Sequence, residues 1–154
     1  MKRRTELSYR IAAIDGSDPI GLLLALYDTL SGNLRRASAA QRAGNIELRC
    51  AELNHAYMVL GQLESWVDPD RDKKLADSLA MFYAFLRDRM FSASLSQSAM
   101  EFDALVEMVS QVRTTWQQRA TSLALELSQS GSSEAQLLRG HGAAQTHVSL
   151  SRTA

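Results

Sequence analysis

The fold is decided by residues 18–37, which read DPIGLLLALYDTLSGNLRRA. Asp18 and Pro19 are typical of a helix start, because an aspartate accepts hydrogen bonds from free backbone amides and proline has no amide hydrogen to satisfy there. From this point apolar residues recur three and four positions apart, which is the spacing of the buried seam of a helical bundle, and Gly44 supplies a left-handed stop. The seam residues of this first predicted helix are Ile20, Leu23, Tyr27, Leu30, Leu34 and Ala37.

The same spacing recurs in three further segments. Asn45 is placed to cap the second helix, a polar turn over residues 68–72 precedes the third, and Ser98 with Glu101 has the spacing of a capping box before the fourth. Short links make consecutive helices antiparallel neighbours, so the sequence predicts an all-α, antiparallel up-down four-helix bundle. The expected seams are Ile46, Cys50, Leu53, Tyr57, Leu60 and Leu63 or Val67 in the second helix, Leu75, Leu79, Phe82, Leu86, Met90 and Ala93 in the third, and Phe102, Leu105, Val109, Val112 and Trp116 in the fourth.

The two ends of the chain differ from the bundle in pattern. Residues 1–17 have no sustained periodicity and are predicted to form a mobile N-terminal arm. Residues 18–128 are predicted to form the bundle domain. Gly131 and the glycines and serines after it interrupt the helical pattern, so we expect residues 129–154 to form a flexible C-terminal tail.

Composition excludes several classes of function. The 17 basic and 17 acidic residues balance, so the chain lacks the positive field that attracts nucleic acid. The richest apolar run, residues 20–27, is far shorter than the roughly 20 residues of a membrane-spanning helix, and the basic residues at 2–4 are followed by no apolar signal segment. The single cysteine, Cys50, has no intramolecular partner and falls in the predicted seam, where a buried thiol packs well. We therefore expect a cytoplasmic protein without direct membrane insertion.

No catalytic machinery is visible. Glu52 and His55 form the one Glu-x-x-His spacing, but di-iron bundles use two such motifs plus further glutamates. We therefore predict no metal and no cofactor, with a carboxylate-bridged metal enzyme as a distant alternative.

The informative feature is a surplus of apolar residues beyond the predicted seams. Such a surplus fits a helix packed centrally against three neighbours, and it equally fits a groove that receives a partner. The surplus residues are Leu22, Leu24 and Leu26 in the first helix and Met81, Tyr83, Phe85 and Phe91 in the third.

An ordered set of short motifs over residues 8–118 resembles the FliS family of flagellin export chaperones. It departs from the family's pattern in the turn at 70–74, where many members carry paired glycines. The motifs are Tyr9-Arg10, Asp18-Pro19, Leu26-Tyr27-Asp28, Ala37, Val67-Asp68-Pro69, Leu75-Ala76, Ser78-Leu79, Phe82-Tyr83, Phe85-Leu86, Arg89-Met90, Glu107, Val109, Arg113 and Trp116.

This resemblance implies a non-catalytic chaperone that binds the disordered C-terminal segment of one flagellin molecule, prevents premature polymerisation and assists delivery to the flagellar type III export gate. A regulatory co-chaperone is a further implied partner. The alternative is a non-catalytic helical adaptor or dimerising scaffold. The candidate client-binding residues are Leu22, Leu26, Tyr27, Leu79, Phe82, Tyr83 and Leu86. The arm residues expected to shield the empty groove are Leu7, Tyr9 and Ile11.

Overall fold

The structure, a computed structural model, describes residues 19–143, and every regular element in that range is an α-helix. The helices are α1 (Pro19–Arg42), α2 (Ile46–Ser65), α3 (Lys73–Ser96) and α4 (Ala99–Ala143). Consecutive helices pack antiparallel, which confirms the predicted all-α four-helix fold. The described residues up to Trp116 form one compact unit, and those from Gln117 onwards form a second.

The predicted helix boundaries are confirmed at the caps. Gly44 has a φ of +67°, which a side chain would disfavour, and it ends the α1 segment as expected. The Asn45 side chain accepts a hydrogen bond from the amide of Leu48 at 3.0 Å. The Ser98 hydroxyl accepts from the amide of Glu101 at 3.3 Å, so both links are closed by the local hydrogen bonds that their residue types favour.

The buried core draws on all four helices and includes most of the predicted seam residues. At the start of α2 the prediction is wrong, because Ile46 is 61% exposed and Cys50 is also exposed. The buried face of α2 passes instead through Arg49 and Leu53. Arg49 donates a hydrogen bond to the side chain of Gln41 on α1, and this contact holds a polar residue at the inner position.

The prediction that Gly131 ends the helical pattern of the last segment is also wrong, because α4 continues to Ala143. A glycine inside a helix costs only about 1 kcal/mol relative to alanine, so it weakens a helix without necessarily stopping it. Ser128, Ser130 and Ser132 each donate a hydrogen bond from the hydroxyl to the carbonyl four residues earlier. The hydroxyls are therefore hydrogen-bonded while the backbone stays helical.

Candidate binding surface

The N-terminal turns of α1 present more leucine than the bundle covers. Leu22, Leu23, Leu24 and Leu26 are all half-buried, whereas Tyr27 and the inward-facing residues after it are fully buried. Leu23 and Leu26 pack against the buried cluster. The apolar surplus expected from the sequence is therefore real at this end of α1, and part of it faces solvent.

A pair of buried tyrosines lies in the core, and one of them directly follows Leu26 in α1. The hydroxyls of Tyr27 on α1 and Tyr83 on α3 are 2.9 Å apart, and both side chains are at most 1% exposed. Burial raises the pKa of the Tyr27 phenol, while hydrogen bonds with Tyr83 and Trp116 act in the opposite direction. Burial also raises the pKa of Tyr83. The pair therefore remains neutral and connects α1 to α3 across the core.

The seven candidate client-binding residues thus fall into two groups by burial. Tyr27, Tyr83 and Leu86 belong to the buried core. The remaining four keep part of their side chains at the surface. They are Leu22, Leu26, Leu79 and Phe82. The arm residues lie outside the described part of the chain. They are Leu7, Tyr9 and Ile11.

Three of the four half-buried residues lie on two different edges of the bundle, and the fourth, Leu79, packs against the core. On α1, Leu22 and Leu26 share one side with Asn33, because 11 residues make about three helical turns. That side faces α2, since the Asn33 amide donates to Glu52 at 2.8 Å. On α3, Phe82 lies about 140° around the helix from Arg87, which points towards α2, so Phe82 faces away from that helix.

On its opposite side α1 is closed against α4 by charged side chains. Arg113 donates two hydrogen bonds to the Asp28 carboxylate, at 2.5 and 3.1 Å. Nearer the C-terminal end of α1, Arg42 and the Ser38 hydroxyl both bind Asp103 of α4. These contacts lower the pKa of the Asp103 carboxyl. These contacts match charge and geometry between the two antiparallel helices, and they support the register that the packing of the core sets.

Sequence reasoning missed a shallow cleft of about 480 Å³ between α2 and α3. Its rim is charged, because Arg87 donates to Glu64 at 2.8 Å and its guanidinium lies 5.7 Å from the centre of the Tyr57 ring. The only signal in the sequence is the spacing of Ala80 and Ala84, two small residues one turn apart. The lining residues are Glu64, Val67, Ala80, Tyr83, Ala84 and Arg87.

The Glu52 carboxylate is bound by two side chains of α1. The guanidinium of Arg36 lies 2.9 Å from its carboxylate, and this contact together with that of Asn33 lowers the pKa of Glu52. Among residues 19–143 no group of three or more His, Cys, Asp or Glu side chains is arranged to hold a metal ion. Glu52 is therefore part of the contact between α1 and α2.

No helix in the described range combines the length and apolar character needed to cross a membrane. A comparison with curated proteins finds no match. The sequence model of the family described as Flagellar protein FliS matches residues 1–123, about four-fifths of the chain. The matched residues include both tyrosines of the buried pair, the half-buried leucines of α1 and the α1–α4 salt bridges described above. On this match, the chain belongs to the FliS family of flagellar proteins.

Proposed function

We propose that this chain binds the disordered C-terminal segment of flagellin in a one-to-one complex and keeps flagellin from polymerising until export. The observation that carries the proposal is the row of half-buried leucines on α1 in a chain of this family. A soluble bundle that leaves such side chains partly uncovered has an apolar surface available for an amphipathic partner.

Members of the FliS family are non-catalytic chaperones, so the prediction that this chain is not an enzyme is confirmed. The family relation also supports a flagellin export role in general terms. The cytoplasmic location, the export gate as a second partner and a regulatory co-chaperone are parts of the present proposal.

Ordering a disordered segment on binding costs roughly 2 to 5 kcal/mol, so the receiving surface has to be extended. Leu22 and Leu26 supply contacts on the α1–α2 edge, and Phe82 supplies contacts on the side of α3 that faces away from α2. Leu79, which packs against the core, supplies its partly exposed side chain. The client segment therefore bends around the bundle and contacts both edges, because one straight helix does not reach surfaces that face different directions.

The buried residues of the candidate set have a supporting role in this proposal. Tyr27, Tyr83 and Leu86 are buried in the core, and the hydrogen bond between the two tyrosine hydroxyls helps to keep α1 and α3 at a fixed separation. Preorganisation of this kind lowers the free energy that binding would otherwise spend on ordering the receptor.

The N-terminal arm is proposed to cover the client surface when flagellin is absent. Leu7, Tyr9 and Ile11 precede α1 in the sequence and are apolar, so they are suited to cover leucines near the start of that helix. Flagellin would then displace the arm.

Co-expression with flagellin followed by affinity capture tests the proposal. Full-length flagellin should be retained in a complex of one chain to one flagellin, and flagellin that lacks its C-terminal segment should be lost. An adaptor or scaffold protein would retain neither form. Equal capture of both forms of flagellin would place the contact elsewhere on the client and contradict the proposal.

A further inference from the structure

The charged rim of the cleft between α2 and α3 has hydrogen-bonding groups that the protein itself leaves unused. Arg87 donates from Nε and from Nη2 to the same oxygen of Glu64, Oε1, at 3.2 and 2.8 Å. Among the described residues, neither Oε2 of Glu64 nor Nη1 of Arg87 has a hydrogen-bond partner. The Arg87 and Glu64 side chains are 44% and 37% exposed, so a free donor and a free acceptor lie side by side at the surface.

The guanidinium of Arg87 is held in place before any ligand arrives. It lies 5.7 Å from the centre of the Tyr57 ring as well as against Glu64, and contacts on two sides restrict a side chain that would otherwise rotate freely. Beside the guanidinium, the cleft continues over an apolar floor. Ala80 and Ala84 carry only methyl groups there, which leaves space for an apolar side chain of a partner.

The last residue of a polypeptide matches this arrangement. Its α-carboxylate accepts hydrogen bonds, its backbone N–H donates one, and its side chain leaves the same Cα atom, so the three groups lie close together. The carboxylate suits the donors of Arg87 and the N–H suits Oε2 of Glu64, while the side chain enters the apolar cleft. An internal aspartate or glutamate is a poorer match, because the side chain that carries the carboxylate is then not available to fill the cleft.

The cleft is also within reach of the proposed client surface. Asn33 of α1 contacts Glu52 of α2. Leu22 lies 11 residues before Asn33, and Leu63 lies 11 residues after Glu52, so antiparallel packing puts Leu22 at the level of the α2 residues that line the cleft. Neighbouring helix axes lie about 8 to 10 Å apart, and roughly three to five extended residues cross one helix. A client segment on Leu22 therefore reaches the cleft with its final residues.

We infer that the cleft binds the C-terminal residue of flagellin, with the α-carboxylate on Arg87 and the backbone N–H on Glu64. The inference rests on the proposed function and adds to it a site that recognises the free end of the client chain. Neutralising that end, or moving it further along the chain, should therefore weaken binding.

Calorimetry of the full chain with two peptides of the flagellin C-terminal segment tests the inference. The peptides are identical except that one ends in a free carboxylate and the other in an amide, which keeps the shape and removes the charge. The free acid should bind roughly 5- to 30-fold more tightly than the amide, as expected for charge-assisted hydrogen bonds at a half-exposed site. A third peptide, extended by Gly-Gly, carries its carboxylate past Arg87 and should bind as weakly as the amide.

Two variants assign the difference to the cleft. Arg87→Gln should lower the affinity for the free acid to that for the amide and leave the amide unaffected. Arg89→Gln is the matched control and should keep the preference, because it removes the same charge from α3 about 200° around the helix, beside Phe85. Circular dichroism checks that both variants keep the native fold.

The inference is overturned if the native chain binds the free acid and the amide equally, a result that leaves the proposed function standing. It is also overturned if the preference survives Arg87→Gln or is lost in Arg89→Gln. If neither peptide binds the native chain, the proposed function fails and the inference fails with it.

Discussion

Replacing Leu22 by aspartate should weaken client binding while leaving the stability of the bundle nearly unchanged. Leu22 is half-buried at the start of α1 and is not one of the side chains that pack against the buried cluster. The substitution should therefore change the free energy of unfolding by less than about 1 kcal/mol. Leu26 is a poorer position for the same test, because it packs against the cluster and its loss would also loosen the core.

The expected loss of affinity follows from the exposed part of Leu22. Full burial of a leucine contributes about 1.5 to 3 kcal/mol, so covering the smaller, exposed part of Leu22 contributes at most about 1 kcal/mol. An aspartate in the same place adds the cost of desolvating a carboxylate without a partner, about 1 to 3 kcal/mol. The sum, about 1 to 4 kcal/mol, corresponds to a loss of affinity of roughly fivefold to several hundredfold.

Isothermal titration calorimetry with a peptide of the flagellin C-terminal segment measures this loss. Met58→Asp is the matched control, because Met58 is 70% exposed on α2 and lies outside the proposed client surface. Circular dichroism and thermal unfolding check that both variants keep the native fold. If Leu22→Asp binds within about threefold of the native chain while its fold is intact, the α1–α2 edge does not receive the client.

Four further outcomes are expected. Tyr27→Phe leaves the buried Tyr83 hydroxyl without its partner and should lower the free energy of unfolding by about 1 to 3 kcal/mol in urea denaturation. Arg113→Ala removes a salt bridge between partly exposed side chains and should cost about 1 kcal/mol or less by the same measurement. Because the pKa of Asp103 is lowered in the folded state, its contribution is present at neutral pH and should be lost as the pH falls through that lowered value, which thermal unfolding across acidic pH would show. Deleting residues 2–14 should raise the binding of an apolar dye to the free protein, and an unchanged signal would contradict the shielding role of the arm.

Helix boundaries could be predicted from the sequence because they depend on local chemistry. Gly44, Asn45 and Ser98 act through backbone conformation or hydrogen bonds within three residues, so their roles are visible without knowledge of the fold. The end of α4 could not be predicted in this way. Gly131 weakens a helix by a small free energy, and the total over many residues decides whether the helix continues.

The side of α2 that faces the core could not be predicted from the sequence, because it depends on contacts with α1. Ile46 and Cys50 fit an apolar periodicity as well as the true inner face does, and the sequence does not show that Arg49 finds a hydrogen-bond partner on α1. The same limit applies to the candidate site. Tyr83 and Phe82 are neighbours of similar size, yet one is fully buried and the other lies at the edge of the core.

The motif Leu26-Tyr27-Asp28 shows why a family motif and a binding site need not coincide. Tyr27 is in the core, where its hydroxyl meets that of Tyr83, and Asp28 binds Arg113 on α4. Two of the three adjacent residues therefore hold α1 against its neighbours. Only Leu26 keeps part of its side chain at the surface. In this motif the tyrosine contacts α3 and the aspartate contacts α4, and these contacts help to position the leucines that we propose as part of the client surface.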